Sequence, residues 1–320
     1  MEGEIMSKKA PHTVHHIIPQ CYLRNFTNMA KGIYMYDKIR STKYIKPIDE
    51  ACAIDHFYRI ADFNAKNEDE ALSIEVGYLA KAVETTYSDI LQEVIETKDQ
   101  WISNSSVRLS NELKVKLAYM IGVQYLRMPY VRDASLATFK TVTDFEERLV
   151  KKIVAEQEQN PAILDLQINK RYDEASIHAQ STFMNDKLLL DFCVGLSRNY
   201  WSILVSRDGE FYTSDFPIVV NPHQQGVRPT HHGLTQYGAE VSFPLTKDML
   251  LVVWEKEYFN DKDSLDRTFQ WASGAEVRKY NFLRYAYARN DVYSFKNDFS
   301  MIDLWKYFNG GQHHFMSLKE

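Results

Sequence analysis

The sequence predicts an α+β fold, with long helices in the middle of the chain and mainly antiparallel strands in the last third. Apolar residues recur at helical spacing between residues 67 and 196, and short apolar and aromatic runs follow between residues 199 and 255. Glycine and proline, which interrupt helices, number only 12 and 9 in 320 residues. Segregated runs of helices and strands are typical of α+β folds.

Length and composition favour one folded domain. The chain is 45% hydrophobic and 25% charged, with a net charge of −5, which excludes a disordered chain, a collagen-like fibre and a disulfide scaffold. We expect residues 1–11 to form a disordered tail, because polar untethered termini usually do. Residues 12–320 are expected to form a single α+β domain, with a helical subregion over 67–196 and a β-rich subregion over 199–255.

The first predicted elements are short. A turn at Pro19 is followed by a short helix, the alternating run over 32–36 predicts a strand, and residues 55–60 predict another. Residues 38–49 are interpreted as a charged connection between these strands.

Four helices are predicted next. Their ranges are 67–96, 104–127, 134–159 and 175–196. Apolar residues recur every third or fourth position in the first, and the second has a wide apolar face. Pro129 is expected to end or kink the second helix.

The strands of the last third follow from apolar runs bounded by turn residues. They are predicted over 199–206, 211–213, 218–220, 240–243 and 249–254, before helices over 275–289 and 301–308.

The cysteine count and the apolar runs bear on location. Three cysteines without CxxC spacing argue against a disulfide framework or a structural zinc site, and they predict a reducing, cytoplasmic compartment. No apolar run is long enough to span a bilayer, and the N-terminus lacks the apolar core of a secretory signal, so no membrane partner is expected. An isoelectric point near 6.1 argues against a broad electrostatic grip on nucleic acid, but leaves a local basic groove open.

The first group of candidate site residues lies near the N-terminus. The imidazole of His16 is a candidate general base or metal ligand, and the Arg24 guanidinium can hold a phosphate or carboxylate. Gln20, between them, is assigned to ligand binding with Arg24. The structural alternative is an N-terminal segment docked through hydrogen-bonding histidines.

Two further groups follow. Gln124 and Arg127 are three residues apart and share one helix face, where they need partners or a ligand, although Arg127 could simply pair with a buried carboxylate. Asp215 follows Ser214 at a strand end and precedes Phe216-Pro217, where its carboxylate could bind a metal ion, orient a histidine or pair with Arg127. Ser214 is a ligand-binding candidate, and the alternative for Asp215 is an Asx-type turn that caps its own backbone.

Glu75 and Glu84 are possible second carboxylates on the first long helix. Both lie among apolar residues. Nine residues apart on an α-helix, they are expected on different faces. The sequence contains no GxGxxG after a strand, no GxxxxGK[ST], no HExxH, no GxSxG and no kinase motif set.

Taken together, these segments resemble the domain-of-unknown-function family 4238. The resemblance to the family's HxxPQxYLRxF signature is carried by His16, Pro19, Gln20, Tyr22, Leu23, Arg24 and Phe26. Its spaced glutamates and QxxRxP helix end correspond to Glu75, Glu84, Gln124, Arg127 and Pro129. Its W-x-I/L strand, TSDxP turn, FPL strand and last helix correspond to residues 201–204, 213–217, 243–245 and Asn281, Ala286 and Ala288.

The resemblance covers about residues 12 to 293, and its N-terminal and TSDxP segments are specific when found together. The family is mostly bacterial and its activity is unassigned. The resemblance implies that His16, Arg24, Gln124, Arg127 and Asp215 converge in space, and it implies no substrate.

The residue types favour one chemistry. Histidine, aspartate and two arginines suit metal-assisted phosphodiester hydrolysis by a nuclease or nucleotide hydrolase, with His16, Gln124 and Asp215 catalytic and a divalent ion as possible cofactor. The first alternative is a binding module that captures a nucleotide or other anionic ligand without turnover. The second is an interaction protein of a defence or toxin-type system, in which the polar network only holds the fold.

Overall fold

The structure is a computed structural model that describes residues 14–207, 211–224 and 233–308. The predicted tail over 1–11 lies outside the described residues. The α+β class is confirmed, because helices fill the middle of the chain and mixed or antiparallel sheets lie mainly toward its C-terminal part.

The helices occur where apolar periodicity predicts them, with different ends. They are α1 (Gln20–Leu23), α2 (Glu68–Ala71), a π-helix (Ser73–Glu84), α3 (Thr85–Ser103), α4 (Asn111–Leu126), α5 (Pro129–Gln157), α6 (Glu174–Ser181), α7 (Asp186–Ser197), α8 (Gly274–Tyr287) and α9 (Ser300–Phe308). Short 3-10 turns cover Arg24–Phe26, Pro161–Asp165 and Asn260–Leu265.

Eleven strands are found among the described residues. They are β1 (Val14–His16), β2 (Gly32–Asp37), β3 (Thr42–Pro47), β4 (Ala53–Asp55), β5 (Tyr200–Val205), β6 (Thr213–Ser214), β7 (Val219–Pro222), β8 (Ala239–Thr246), β9 (Met249–Trp254), β10 (Thr268–Trp271) and β11 (Asp291–Ser294).

The strands form three sheets. The largest has the order β10-β5-β9-β8-β7 and is antiparallel except where β10 runs parallel to β5. A four-stranded antiparallel sheet has the order β3-β2-β11-β6, and β1 pairs with β4 alone. The second sheet therefore joins early strands to late ones, and it brings the turn after β6 beside the start of β11.

Several sequence expectations are wrong in detail. Residues 38–49 contain strand β3 instead of only a connection, because β2 supplies the hydrogen-bonding edge that this polar segment needs. Residues 55–60 are mostly turn, since β4 ends at Asp55. The predicted helix over 175–196 is two helices, α6 and α7, the second of which begins where the Asn185 side chain accepts the amide of Leu188.

Pro129 begins a helix. It occupies the first turn of α5, where its missing N–H costs no hydrogen bond, and α4 ends at Leu126. The short connection keeps Arg127 and Met128 between two long helices. Among the described residues, no helix combines the length and the apolar character needed to cross a bilayer.

The main core joins the N-terminal segment to the largest sheet. The Tyr22 ring stacks on Phe243 of β8 with centroids 5.3 Å apart, and its hydroxyl donates to the Pro244 carbonyl at 2.7 Å. Tyr22 also packs against Phe26. This one buried cluster runs from Ile17, just after β1, to Tyr293 of β11.

Replacing Phe243 with alanine should lower the free energy of unfolding by about 4 kcal/mol, because a buried aromatic ring and its stacking partner are lost. Phe63→Ala is the control, and its side chain is 54% exposed, so it should cost about 0.5 kcal/mol or less. Urea denaturation measures both values. Equal costs for the two variants would contradict the assigned core.

Candidate functional site

Arg127 is a fully buried cation at the end of α4. Its Nε donates to the Tyr58 hydroxyl at 3.2 Å, and one terminal nitrogen, Nη2, donates to the His16 carbonyl. Tyr58 in turn donates to the Arg127 carbonyl at 3.2 Å. Burial alone would lower the pKa of Arg127, but Tyr58 and two nearby glutamates raise it, so the guanidinium stays charged.

Gln124 lies one helical turn before Arg127 and binds Ile17, the residue that follows His16. Its Nε2 donates to the Ile17 carbonyl at 3.0 Å. Gln124 and Arg127 therefore hold two successive carbonyls, those of Ile17 and His16. The QxxR pattern acts here as a clamp on the end of β1, a role that the sequence alone did not predict.

Glu75 holds the same segment from the opposite side. Its Oε1 accepts the backbone N–H of His16 at 3.3 Å. Burial raises the pKa of Glu75 to about 7, while the Arg127 charge opposes this shift and Glu84 adds to it. We call Glu75, Glu84, Gln124 and Arg127 the Arg127 cluster.

The π-helix corrects the expected placement of the two glutamates. An α-helix turns about 100° per residue, so nine residues place side chains on opposite faces. A π-helix has about 4.4 residues per turn, so nine residues complete about two turns and return to the same face. Glu75 and Glu84 are accordingly both near Arg127, and the negative charge of each raises the pKa of its guanidinium. Burial also raises the pKa of Glu84.

The cluster has buried polar atoms with unmet hydrogen-bonding capacity. Oε2 of Glu75, Oε1 of Gln124 and Nη1 of Arg127 are buried, and none has a hydrogen-bond partner in the described part of the chain. Such atoms each cost about 1–3 kcal/mol, so the cluster is held by the surrounding structure. Because solvent does not reach these atoms, a ligand has no direct access to them in this conformation.

His16 belongs to a hydrogen-bonded chain that leads to the surface. Arg24 is exposed and donates to Gln20 Oε1 at 3.1 Å, which orients the Gln20 amide nitrogen toward His16 Nε2, also at 3.1 Å. The Asp49 carbonyl lies 3.1 Å from the same ring nitrogen. Burial lowers the pKa of His16, and the Arg127 charge lowers it further, so the imidazole is neutral near pH 7.

Asp215 is occupied by backbone amides of the segment that leads into β11. Its carboxylate accepts N–H groups from Arg289 at 2.9 Å, Asn290 at 2.7 Å and Asp291 at 3.2 Å. Burial raises its pKa to about 6, against the effect of these amides, and the Asp291 charge adds to the shift. The Asx-turn alternative does not describe this long-range cap. Ser214 makes the local turn instead, accepting the Phe216 amide at 3.1 Å.

Arg284 of α8 supports the same turn from behind. Its side chain is fully buried. Its Nη1 donates to the Pro217 carbonyl, and its Nη2 donates to the Ser242 carbonyl at 3.3 Å. Burial lowers the pKa of Arg284 to about 10. Asp215 and Arg284 thus fix the two ends of the Asp-Phe-Pro turn.

Asp215 also lines a cleft of about 620 Å³. The cleft lies between the β2–β3 edge, the start of α5 and the turn that Asp215 caps. Its cationic side chains are Arg40, Lys46 and Arg289, and its acidic ones are Asp37, Asp133, Asp215 and Asp291. Its aromatic side chains are the exposed Tyr44 and the half-buried Tyr130 and Phe216. We call this cavity the Asp215 cleft.

The charges of the Asp215 cleft are only partly neutralised. Lys46 pairs with Asp291 at 2.9 Å, and Arg40 pairs with Asp37 at 3.2 Å while remaining 75% exposed. The Arg289 side chain is exposed and forms no ion pair with any described residue. A guanidinium with this freedom, on a backbone fixed by Asp215, is suited to meet an anion.

The predicted site residues form two places instead of one. His16, Gln20 and Arg24 form one chain, and the His16 backbone joins it to Glu75 and Arg127, beside Gln124. Asp215 lines the Asp215 cleft, and Ser214 is buried next to it. Ile17 and Met128 connect the two places, since both line the cleft and both contact the Gln124 amide.

The two predicted metal ligands, His16 and Asp215, do not form part of a larger group of ligands in the structure. Within residues 14–207, 211–224 and 233–308, no group of three or more His, Cys, Asp or Glu side chains could hold a metal ion. The His16 imidazole contacts Gln20 and Asp49, and the Asp215 carboxylate contacts backbone amides. His16 and Asp215 therefore do not combine into a ligand set for a divalent ion.

The sequence did not identify several contributors, among them Tyr58, Lys46, Arg284 and Arg289. Tyr58 lies in a predicted strand that is a turn, and Lys46 lies in a predicted connection that is β3. Arg284 could have been found, because it continues the buried spacing of Val277, Tyr280 and Asn281 along α8. A charged residue on the buried, apolar face of a helix indicates that its side chain has a polar partner in the interior.

A clamped N-terminal segment, a π-helix with paired glutamates and one cleft beside a capped aspartate define this α+β protein. The chain belongs to the family described as "Protein of unknown function (DUF4238)", which matches residues 14–298. Membership confirms the resemblance. None of the curated proteins and none of the solved structures compared with the chain matches it.

Replacing Glu75 with glutamine should change the dependence of stability on pH. The folded chain keeps the Glu75 proton up to pH about 7, whereas the unfolded chain releases it near pH 4.5. The folded chain binds more protons in this interval, so the Glu75 contribution to the free energy of unfolding falls as pH rises through it. The stability difference between wild type and Glu75→Gln should therefore change by about 2 kcal/mol between pH 5 and 7.5.

Urea denaturation at several pH values measures this difference. Glu96→Gln, which changes an exposed glutamate of the adjoining α3, is the control and should follow the wild-type profile. A Glu75→Gln profile parallel to wild type would show that Glu75 ionises as it does in the unfolded chain.

Asp215→Asn should lower the free energy of unfolding by about 2 kcal/mol, because an amide cannot accept three N–H groups as a carboxylate does. Asp133→Asn is the matched control, because Asp133 is exposed on the same cleft. Thermal and urea unfolding measure both. A loss in the control as large as in Asp215→Asn would refute the capping role.

Proposed function

We propose that the protein binds a small anionic ligand in the Asp215 cleft, and that a nucleotide is the class that fits best. The observation that carries this proposal is the exposed Arg289 guanidinium on a cavity of about 620 Å³. Cavities between about 300 and 1,000 Å³ are the usual size of small-molecule sites.

Three positive groups support recognition of a phosphate. Arg289 has no acidic partner among the described residues, and Arg40 is 75% exposed although it contacts Asp37. Lys46 is held by Asp291 on the same wall. A phosphate that approaches Arg289 would gain a bidentate contact without first breaking an ion pair.

Aromatic side chains support recognition of a base. Tyr130 and Phe216 pack with ring centroids 5.0 Å apart, and Tyr44 on the β3 side is 41% exposed. Flat apolar rings near cationic groups provide the stacking surface that nucleotide bases use. The carboxylates of the cleft offer acceptors for ligand hydroxyl or amino groups.

Phosphodiester hydrolysis remains a proposal for the same cleft. Its support is the juxtaposition of carboxylates with cationic side chains, which are the groups that hydrolysis of a phosphate ester requires. No step is assigned to His16 or Gln124, whose contacts hold the N-terminal segment. A bacterial origin and a cytoplasmic location are proposed with it, supported by family membership and by three free thiols, Cys21, Cys52 and Cys193.

Binding can be tested by isothermal titration with AMP, ATP, a dinucleotide, inorganic phosphate and a short single-stranded RNA. Arg289→Ala should weaken binding of the ligand that wild type takes by about tenfold or more, because its main phosphate contact is lost. Arg278→Ala removes an exposed arginine of α8 outside the cleft, and it should bind as wild type does.

Unchanged binding in Arg289→Ala would place the ligand elsewhere, and no binding by folded wild type would refute the proposal. The same mixtures, analysed for products with and without Mg²⁺, Mn²⁺ and Zn²⁺, test hydrolysis separately. Binding without product would support the binding function and refute the proposed hydrolysis.

A further inference from the structure

Most charged side chains of the Asp215 cleft are committed to one another or to the backbone. Asp37 accepts both the backbone amide and the guanidinium of Arg40, at 2.8 and 3.2 Å. Asp291 accepts the Lys46 ammonium at 2.9 Å. Asp215 is bound by three backbone amides. These side chains shape the cleft, and a ligand would have to break existing contacts to use them fully.

Two charges of opposite sign remain in the cleft. The Arg289 guanidinium and the Asp133 carboxylate are both exposed, and neither forms an ion pair or a side-chain hydrogen bond with any residue that the structure describes. The cleft therefore offers one free cation and one free hydrogen-bond acceptor. A ligand that uses both carries an anionic group together with a separate group of hydrogen-bond donors.

An aromatic contact joins the walls that carry these two charges. Tyr130 lies three residues before Asp133 on α5, so their Cβ atoms are about 5–6 Å apart on one helix face. On the other wall, Phe216 follows Asp215, whose carboxylate accepts the Arg289 amide at 2.9 Å. The rings of Tyr130 and Phe216 pack with centroids 5.0 Å apart. A base stacked on Tyr130 therefore has an edge beside Asp133, and its phosphate can extend toward the opposite wall.

The chemistry of a carboxylate selects among the bases. A carboxylate only accepts hydrogen bonds, so it favours a base edge that carries donors. Guanine presents two adjacent donors, the N1–H and the N2 amino group, which bind both carboxylate oxygens at once. Adenine and cytosine present one amino group beside an unprotonated ring nitrogen, and hypoxanthine has the N1–H without the N2 amino group. Guanine is therefore the base that a free carboxylate recognises best.

We infer that the nucleotide bound in the Asp215 cleft carries guanine, and that Asp133 is the residue that selects this base. The inference rests on the proposed function, because it requires a nucleotide in the cleft with its phosphate at Arg289. The two residues have separate tasks. The phosphate contact is common to all nucleotides, whereas the contact with Asp133 depends on the base.

Isothermal titration of the full chain with GMP, IMP and AMP tests the inference. Wild type should bind GMP about tenfold more tightly than IMP or AMP, because only guanine makes the bidentate contact. In Asp133→Asn the ratio of GMP to IMP affinity should fall to about threefold or less, since an amide oxygen cannot accept both donors as a carboxylate does. The three nucleotides carry the same phosphate, so a general change in the field of the cleft leaves this ratio unaltered.

Two further variants separate the base contact from the phosphate contact. Asp89→Asn changes an exposed aspartate of α3 outside the cleft, and it should keep the wild-type ratio. Arg289→Ala should weaken binding of all three nucleotides by a similar factor and also keep the ratio. Circular dichroism verifies that each variant folds, which is expected because the substituted side chains are exposed.

The outcomes distinguish the inference from the proposed function. Equal binding of GMP, IMP and AMP by wild type would overturn the choice of guanine while supporting nucleotide binding. A preference for GMP that persists in Asp133→Asn would overturn the role of Asp133. Failure of folded wild type to bind any of the three would refute the proposed function, and the inference with it.

Discussion

The fold depends on one buried cation, the guanidinium of Arg127. Burying a charge is costly unless hydrogen bonds and opposite charge compensate for the lost water. Here the compensation comes from the His16 carbonyl, the Tyr58 hydroxyl and the field of Glu75 and Glu84. These partners belong to the N-terminal segment, to the turn after β4 and to the π-helix. One charge thus ties together three parts of the chain that are distant in sequence.

The same physical device recurs at the cleft. Asp215 and Arg284 use buried polar side chains to hold backbone groups of neighbouring segments, as Gln124 and Arg127 do for the segment at the end of β1. The family motifs are therefore largely clamps that shape the walls of a cleft. The side chains left to meet a ligand, above all Arg289, lie next to the clamped backbone and outside the most specific motifs.

Periodicity predicted the long helices and strands β2, β5, β8 and β9, but it missed β10 and β11. The run Met249–Trp254 is β9 with the predicted ends, because a short run of apolar, β-branched residues is typical of a strand buried on both faces. Strand β3 was missed because the polar residues Thr42, Lys43 and Lys46 leave no alternation of apolar residues, and pairing with β2 alone makes it a strand. The local sequence pattern carries no information about which strand a segment will pair with in the folded protein.

The site shows the same limit. Sequence identified Arg127, Gln124, Glu75 and Asp215, but it could not say that the first three hold β1 and that Asp215 caps Arg289–Asp291. The face shared by Glu75 and Glu84 depends on π-helical winding, which an α-helical interpretation reverses.

The most direct test of the Arg127 clamp is hydrogen exchange in Arg127→Lys, followed peptide by peptide. A lysine keeps the charge but loses the forked contacts to the His16 carbonyl and Tyr58. The clamp predicts faster exchange at the amides of His16 and Ile17, which bond to Glu75 and to the Cys52 carbonyl, with the β5–β9 sheet unchanged. Wild-type protection at these amides in the folded variant would contradict it.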